Sequence, residues 1–170
     1  MEIRALTAAD AAVYLPVRLR SLREHPEAFG ASYEEEQDMP LDKVAAMLVP
    51  DSPTFGAFVS GDLAGITTLW RYPRAKMRHR AMLAGMYVVP EARGQGIGRA
   101  LMVTALDFAR SCEGLEDVTL AVTVGNEVAR RLYIEMGFTA YSRDPRYIKT
   151  GGRTYDIEWM IRRIAGDDPA

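Results

Sequence analysis

The segment Val88–Met102, VVPEARGQGIGRALM, places three glycines within five residues, between a run of β-branched residues and an apolar pattern with helical spacing. Glycine accepts positive φ angles and lets a ligand approach the backbone closely. Successive backbone N–H groups at a helix N-terminus form an anion site that suits phosphate. The segment therefore predicts a strand, a turn and a helix, in which Gly94, Gly96 and Gly98 make room for a pyrophosphate. A tight turn without a ligand is the alternative.

The spacing of these glycines argues against two common nucleotide sites. A dinucleotide fingerprint has the pattern G-x-G-x-x-G early in a βαβ unit, whereas here the pattern is G-x-G-x-G in the middle of the chain. A triphosphate-binding loop needs a lysine and a hydroxyl residue after its last glycine, where this chain has Arg99 and Ala100. A different phosphate ligand is therefore expected.

Hydrophobic periodicity predicts helices and strands on both sides of this segment. Helices are expected from the Thr7 N-cap to about His25, over 41–48, from the glycines to Cys112, and from the Asn126 N-cap to Gly137. The expected strands are MEIRAL, TFGAFVS, LAGITTLWRY, AMLAGMYVV, VTLAVTV, TAYSR and RTYDIEWMIRR, with a hairpin turn at Gly61-Asp62. This order, β-α-α-β-β-β-α-β-α-β-β, predicts a mixed sheet with helices on both faces.

Composition narrows the class of protein further. The 170 residues carry a formal net charge of −2, which argues against a dedicated nucleic-acid binder. Cys112 is the single cysteine and cannot form an intramolecular disulfide, and the N-terminus lacks a signal-peptide pattern. The sequence shows neither a membrane span nor a metal-binding Cys/His spacing. We expect one cytoplasmic domain over residues 1–164, with 165–170 as a frayed tail.

Two motifs carry a resemblance to a known family. The run Arg93–Gly98 resembles the R-x-x-G-x-G signature of the GNAT N-acetyltransferase superfamily, which binds acetyl-coenzyme A (acetyl-CoA). About 30 residues later the chain matches that superfamily's N-x-x-A-x-x-L-Y-x-x-x-G-F pattern at Asn126, Ala129, Leu132, Tyr133, Gly137 and Phe138. The element order from Glu2 to Arg162 extends the resemblance over nearly the whole chain.

The resemblance implies a fold and a cosubstrate site. The fold is α/β: a GNAT-like central, mixed and mostly antiparallel sheet of about seven strands, with helices on both faces and a V-shaped splay between the fourth and fifth strands. Backbone groups of Met86–Val88 would pair with the pantetheine arm of acetyl-CoA, and an N–H near Val88 would polarise the thioester carbonyl. The implied cosubstrate-binding residues are Met86, Tyr87, Val88, Arg93, Gly94, Gln95, Gly96, Ile97, Gly98, Arg99, Asn126 and Arg130.

The implied activity is transfer of an acetyl group from acetyl-CoA to a primary amine of a small molecule or peptide, by direct attack in a ternary complex. By resemblance, Tyr133 gives a proton to the departing thiolate. The alternative is that this ring only packs on its helix. An acyltransferase for another acyl-CoA and a non-catalytic acyl-CoA-binding module remain open, and the resemblance also allows a homodimer.

The general base is the missing part of the pattern. Many members of the family carry a glutamate on the strand before the glycine turn, but here Met82–Met86 contains no carboxylate. We therefore expect the base to be ordered water, Glu35 or its neighbours in an acidic connection, or Asp156 or Glu158 on the last strand. The acidic connection would alternatively attract a cationic acceptor. Aromatic residues that could line an acceptor pocket, or simply fill the core, are Phe29, Tyr33, Trp70 and Trp159.

Overall fold

A computed structural model describes residues 1–164 and shows seven strands in one sheet. The predicted frayed tail, 165–170, lies outside the described residues. The spatial order is β1-β2-β3-β4-β5-β7-β6, and every neighbouring pair is antiparallel except β4 and β5, which are parallel. The strands are β1 (Glu2–Ala5), β2 (Thr54–Val59), β3 (Asp62–Arg71), β4 (Arg80–Val88), β5 (Asp117–Thr123), β6 (Thr139–Thr150) and β7 (Arg153–Arg163).

Helices cover both faces of this sheet. The helices are α1 (Ala11–Glu24), α2 (Tyr33–Glu36), α3 (Leu41–Met47), α4 (Ile97–Ser111) and α5 (Glu127–Glu135). On one face α1 and α3 bury a cluster that includes Tyr14, Val44 and Ile66. On the other face α4 and α5 pack on a larger core that includes Leu101 and Tyr133. The predicted mixed, mostly antiparallel sheet with helices on both faces is confirmed.

Local structure departs from the sequence prediction at three places. The acidic connection around Glu35, where no helix was predicted, contains the short helix α2 (Tyr33–Glu36), because Ser32 accepts a hydrogen bond from the Glu35 N–H while the Glu35 carboxylate accepts one from the Ser32 N–H. Strand β6 continues to Thr150, because it pairs with β7 on both sides of an irregularity. The hairpin turn centres on Ser60-Gly61 rather than Gly61-Asp62, since both residues have positive φ.

The predicted splay lies between β4 and β5. These strands are paired only from Arg80 opposite Asp117 to Leu83 opposite Leu120. Beyond Leu83, β4 carries one extra residue relative to β3, and Gly85 within this bulge has a φ of +65°. A bulge bends its strand, so β4 turns away while β5 stays paired with β7 as far as Thr123. The V-shaped opening that results, called the wedge below, confirms the predicted splay.

Candidate active site

The wedge opens toward α4 and α5 as a small cavity of about 110 Å³, called the inner cavity below. Its walls come from the bulged part of β4, the end of β5 and the first turns of α5. The parallel pairing of β4 with β5 stops at Leu83, so beyond that residue the two strands are no longer hydrogen-bonded to each other. The cavity forms in the gap between them. The lining includes Met86, Thr123, Asn126, Ala129 and Tyr133.

On the opposite face the wedge opens into a cavity of about 420 Å³, called the outer cavity. Both cavities are lined by Phe29, Ala84, Gly85 and Thr123, so the wedge connects the two faces of the sheet. The outer cavity has an aromatic wall formed by Tyr14, Phe29, Trp70, Tyr147 and Trp159.

Tyr133 lies in the inner cavity with only 7% of its surface exposed. Its ring lies 6.4 Å from that of Phe138, and within residues 1–164 its hydroxyl makes no hydrogen bond. Burial raises the pKa of Tyr133 to about 12, because the low-dielectric surroundings disfavour the phenolate. The hydroxyl therefore stays protonated at neutral pH and is available as a donor to whatever fills the cavity.

Asn126 begins α5 at the rim of the inner cavity. Its side-chain oxygen accepts a hydrogen bond from the Ala129 N–H at 3.2 Å, as expected for an N-cap. That bond confirms the predicted cap and leaves the amide NH₂ group for another partner. The Asn126 side chain thus has one end fixed by the helix and a donor on a residue that lines the cavity.

The glycine turn lies at the end of β4 and leads into α4. Gly94 and Gly96 have φ values of +78° and +77°, and a Cβ built on either would meet nothing within 4 Å. Their conformation, rather than local crowding, requires glycine there. Among residues 1–164, no protein acceptor takes a hydrogen bond from the backbone N–H groups of 94–99. These donors at the N-terminus of a helix form a cradle that suits an anion.

Gly98 has a different part in this turn. It lies inside the first turn of α4, and a Cβ there would lie 3.4 Å from a Leu132 side-chain carbon on α5. A Cβ at this distance makes an ordinary van der Waals contact, so neither crowding nor backbone conformation requires glycine at this position. The sequence groups the three glycines together, but only Gly94 and Gly96 use the left-handed conformation.

The three arginines expected near the cosubstrate all have protein partners. Arg93 donates through Nε to the Val88 carbonyl at 3.0 Å and lies 3.2 Å from the His25 ring, which ties the turn to the ends of β4 and α1. Arg130 pairs with Glu158 at 2.8 Å, and Arg99 pairs with Glu135. In this structure these side chains fix the walls around the cradle.

The structure does not bring the predicted bases Glu35 and Asp156 into the wedge. The Glu35 carboxylate caps α2, and hydrogen bonds from the Ser32 N–H and hydroxyl lower its pKa. Hydrogen bonds from the Arg146 N–H and the Arg143 guanidinium lower the pKa of Asp156. Since Ile157 and Trp159 line the outer cavity, strand alternation directs Asp156 and Glu158 to the opposite face of β7.

Sequence reasoning missed several residues of the outer cavity. Tyr147 lies in the irregular part of β6, which was expected to be outside the strand. Tyr14 and Arg18 stand four residues apart on α1, which is a spacing that places both on one helix face. That spacing is a signal that could have identified them, although an ordinary core-facing stripe has the same appearance. Of the four aromatic residues that the sequence singled out, Phe29, Trp70 and Trp159 line this cavity, and Tyr33 lines an adjoining groove.

The fold of the chain is similar over nearly its whole length to those of solved structures. An acetyltransferase of the GNAT family from Streptococcus pneumoniae matches with a TM-score of 0.85 at 22% identity, covering 96% of this chain and 99% of that chain. The Salmonella typhimurium protein yncA, a putative acetyltransferase solved with its cofactor acetyl-CoA, matches with a TM-score of 0.80 at 22% identity. That match covers 100% of this chain and 99% of the other. At these identities the likeness shows a shared fold.

Comparison of sequences identifies the family. The mycothiol acetyltransferase of Thermobispora bispora is 31% identical over 145 residues, which are 81% of this chain and 46% of that protein. The chain thus spans less than half the length of the mycothiol acetyltransferases it matches. A model of the acetyltransferase (GNAT) family matches residues 18–138, which include the wedge, the glycine turn and Tyr133. Since that match covers well over half of the sequence, the chain belongs to the acetyltransferase (GNAT) family.

Proposed function

We propose that the protein is an N-acetyltransferase that moves an acetyl group from acetyl-CoA to a primary amine by direct attack in a ternary complex. The observation that carries this proposal is the wedge. It joins an inner cavity that contains a protonated tyrosine to an outer cavity large enough for a small acceptor. Two substrates entering from opposite faces of the sheet would meet at Ala84 and Gly85, which line both cavities.

The residues present fit acetyl-CoA. The cradle of free N–H groups over 94–99 suits its pyrophosphate, and a side chain at Gly94 or Gly96 would occupy that open space. Beyond Leu83 the β4 backbone has no partner on β5, so Met86–Val88 can pair with an extended arm. When bound, acetyl-CoA supplies an acetyl thioester. Asn126 adds an amide donor at the cavity rim.

Tyr133 is the proposed proton donor to the thiolate that leaves. A phenol with a pKa of about 12 is a weaker acid than an exposed tyrosine. The same burial disfavours a thiolate in that cavity, so donor and acceptor shift in the same direction. In the balanced reaction the acceptor nitrogen forms a bond to the acetyl carbon, the carbon–sulfur bond breaks, and one proton passes from nitrogen to sulfur. Tyr133 gives that proton to sulfur and regains one from nitrogen.

Direct attack is preferred to a covalent acyl-enzyme because no cysteine or serine among residues 1–164 lines the wedge. Cys112 follows α4 and lines neither cavity, and burial raises the pKa of its thiol. A reactive cysteine instead has a lowered pKa that favours the thiolate. The acceptor amine is therefore the group that attacks the thioester carbonyl.

Calorimetric titration of acetyl-CoA into the protein tests the cosubstrate site. We expect binding by the wild type, and binding at least about tenfold weaker in Gly96→Glu, because a carboxylate adds bulk and like charge to an anion site. Gly114→Glu is the matched control, since Gly114 also has a left-handed φ, of +70°, and open surroundings in the loop between α4 and β5. If the wild type does not bind, or both variants bind as it does, the proposed site is wrong.

Release of free thiol from acetyl-CoA in the presence of amines tests turnover. A catalyst releases thiol only when an acceptor is added. A non-catalytic acyl-CoA-binding module would bind the cosubstrate and release none. That second candidate is favoured by one observation, which is that no carboxylate among residues 1–164 lines either cavity of the wedge. Replacing acetyl-CoA by longer or acidic acyl-CoA donors in the same assay tests the remaining alternative.

A further inference from the structure

We propose that the acceptor is an amine carried on an aromatic or similarly flat apolar body, and that it enters the outer cavity as the uncharged free base. This inference rests on the proposed function, because it names the class of amine that the same wedge accepts. It also addresses the absence of a glutamate on β4. The outer cavity supplies two kinds of evidence: the composition of its walls and the absence of a charged partner for an ammonium group.

The walls of the outer cavity are predominantly apolar and aromatic. Trp159 of β7 packs edge-on against Tyr147 of β6 with ring centres 6.1 Å apart, and Trp70 of β3 extends the aromatic surface. On the α1 side the Arg18 guanidinium lies over the Phe29 ring, with its Cζ atom 5.3 Å from the ring centre. Apolar surface of this kind favours a flat apolar ligand. The volume of about 420 Å³ suits a small molecule.

The charged groups around this cavity already have protein partners. Arg18 is the charged residue among those that line it, and it makes two hydrogen bonds to Glu36 of α2, at 2.8 and 2.9 Å. Asp144 of β6 accepts a hydrogen bond from the Trp159 ring nitrogen at 3.0 Å. Glu27, in the turn that contains Ala28, lies 3.5 Å from His25. The remaining titratable side chains in the lining are the tyrosines Tyr14 and Tyr147.

A cationic acceptor would therefore find no counter-ion in the outer cavity. Among residues 1–164, its lining includes no aspartate, glutamate, histidine or lysine, and β4 contributes Met82 at the side of the wedge. The amine of a polyamine or lysine side chain that reaches the wedge would have to leave water without pairing its charge, which is unfavourable. This argues against the cationic acceptor that the acidic connection suggested as an alternative.

Because its lining offers no counter-ion, the cavity favours the uncharged form of the amine, which is the form that reacts. Transfer of an ammonium group to apolar surroundings disfavours its charged form, so the proton leaves to solvent as the amine enters. Contact with aromatic faces offsets only part of that cost. The free base can then attack the thioester without a carboxylate to deprotonate it. Desolvation by the aromatic wall thus does what the glutamate does in other members of the family.

An acceptor panel tests the substrate class. With saturating acetyl-CoA, we expect 2-phenylethylamine to be acetylated with a kcat/KM at least about tenfold above that of spermidine. Trp70→Ala should raise the KM for 2-phenylethylamine about tenfold while leaving the KM for acetyl-CoA unchanged, because Trp70 lines only the outer cavity. Tyr141→Ala is the control, since Tyr141 is an exposed aromatic residue on β6 that lines neither cavity.

The pH dependence tests entry as the free base. Benzylamine and 4-(trifluoromethyl)benzylamine have similar shapes, but the fluorinated amine has a lower ammonium pKa. We expect kcat/KM to rise with pH up to the ammonium pKa of each acceptor, so that the inflection moves between the two compounds, while kcat stays flat over that range. An inflection at the same pH for both would indicate a protein base and would overturn the proposal.

The outcomes separate this inference from the proposed function. If acetyl-CoA binds and thiol is released with spermidine in preference to the aromatic amines, the substrate class is wrong while the acetyltransferase function stands. If acetyl-CoA binds and no amine releases thiol, the proposed function fails and this inference fails with it. Aromatic preference together with an inflection that follows the acceptor supports both.

Discussion

At the scale of single residues, Tyr133 combines a packed ring with a hydroxyl that has no protein partner within residues 1–164. Its ring belongs to the core on the α4 and α5 face. The hydroxyl oxygen is not among the fully buried side-chain atoms that lack a partner in residues 1–164, so it is open to the inner cavity. We expect a bound substrate to supply its hydrogen-bond partner.

Replacing Tyr133 by phenylalanine tests that assignment. The ring contacts persist and no protein hydrogen bond is lost, so we expect the thermal midpoint and the acetyl-CoA affinity to stay near the wild-type values. Loss of the proton donor should lower kcat about 100-fold. Steady-state kinetics and calorimetry measure the two effects separately. A variant with wild-type kcat would show that Tyr133 only packs.

The predicted arginine contacts illustrate the limit of residue types as evidence. Arg93, Arg99 and Arg130 stand near the motifs, so the sequence suggests countercharge for a phosphate ligand. In the structure each pairs with a group of the protein, and Arg93 fastens the glycine turn to the Val88 carbonyl. The role of a cation near a motif depends on which acceptor lies within hydrogen-bond distance in the folded chain. That in turn depends on the packing of α5 and β7.

At the scale of elements, the bulge in β4 decides whether a site exists. Without the extra residue, β4 would continue parallel to β5 and the wedge would be closed by backbone hydrogen bonds. Gly85 makes this bend possible because its φ of +65° is costly for other residues. A Cβ at this position would meet only the Thr68 hydroxyl, at 3.9 Å. The free-energy cost of a substitution at Gly85 therefore comes from the backbone conformation and not from a clash.

Gly85→Ala therefore tests the bulge. We expect the free energy of unfolding to fall by about 1 kcal/mol, because alanine disfavours the left-handed conformation. We also expect weaker acetyl-CoA binding if the bulge flattens. Gly151→Ala in the β6–β7 turn is the matched control, since Gly151 has a φ of +55° and nothing within 4 Å of a built Cβ. Denaturant unfolding should show similar losses of stability in Gly85→Ala and Gly151→Ala. Calorimetry should show weaker acetyl-CoA binding in Gly85→Ala alone.

Met82 allows a gain-of-function test on the same strand. It lines the outer cavity, on the strand where the family resemblance leads us to expect a glutamate. Met82→Glu should provide a counter-ion and a base, so we expect it to improve kcat/KM for spermidine about tenfold relative to 2-phenylethylamine. Met82→Gln keeps a similar shape without the charge and should leave the ratio of the two acceptors unchanged. Equal behaviour of the two variants would contradict a role for charge in acceptor choice.

At the scale of the whole molecule, a short ion pair connects the first strand to α1, a helix that borders the site. Arg4 of β1 makes two hydrogen bonds to Asp10, at 2.7 and 2.9 Å, just before α1 begins. The Arg4 hydrogen bonds, together with those from Thr7, hold the pKa of Asp10 well below its usual range. Since α1 contributes Tyr14 and Arg18 to the outer cavity, this anchor helps to position one wall of the site.

The Asp10 anchor predicts a specific pH dependence of stability. A carboxylate with a lowered pKa in the folded state stabilises the fold above its unfolded pKa of about 4, and that contribution is lost as the pH falls below it. We expect Asp10→Asn to lower the free energy of unfolding by about 1 kcal/mol at pH 7, a value reduced because Arg4 is partly exposed. Denaturant titrations should show that the difference in free energy of unfolding between the wild type and Asp10→Asn is smaller in acid than at pH 7. The control Asp38→Asn, at an exposed aspartate, should leave the free energy of unfolding unchanged at both pH values.

The location and assembly of the protein stay predictions. None of the helices among residues 1–164 combines the length and apolar content needed to span a bilayer. The expected cytoplasmic location needs a localisation experiment, and the expected homodimer needs a mass measurement in solution. The restriction to a single domain over 1–164 is likewise a prediction, since relatives of the chain are more than twice as long as the matched region.

The sequence by itself determined the features that depend on local chemistry. The glycine turn, the Asn126 cap, the apolar helical pattern after the glycines and the tyrosine motif each lie within a short stretch, because backbone conformation and helix ends respond to neighbouring residues. The two motifs suffice for the family resemblance, and the order of the periodic segments suffices to predict the mixed sheet.

Only the tertiary structure decided which residues face the wedge. Trp159 and Asp156 lie on one strand, yet the register and pleat of β7 place the first in the outer cavity and leave the second paired with Arg143. Tyr147 and Tyr14 are more than one hundred residues apart in the sequence and meet in one cavity because β6 and α1 converge there. Contacts between distant segments depend on strand register, bulges and helix packing, which no single stretch encodes. The proposed acceptor class rests on those contacts, which is why the glycine turn could indicate a phosphate ligand while the body that carries the amine had to be inferred from the folded walls.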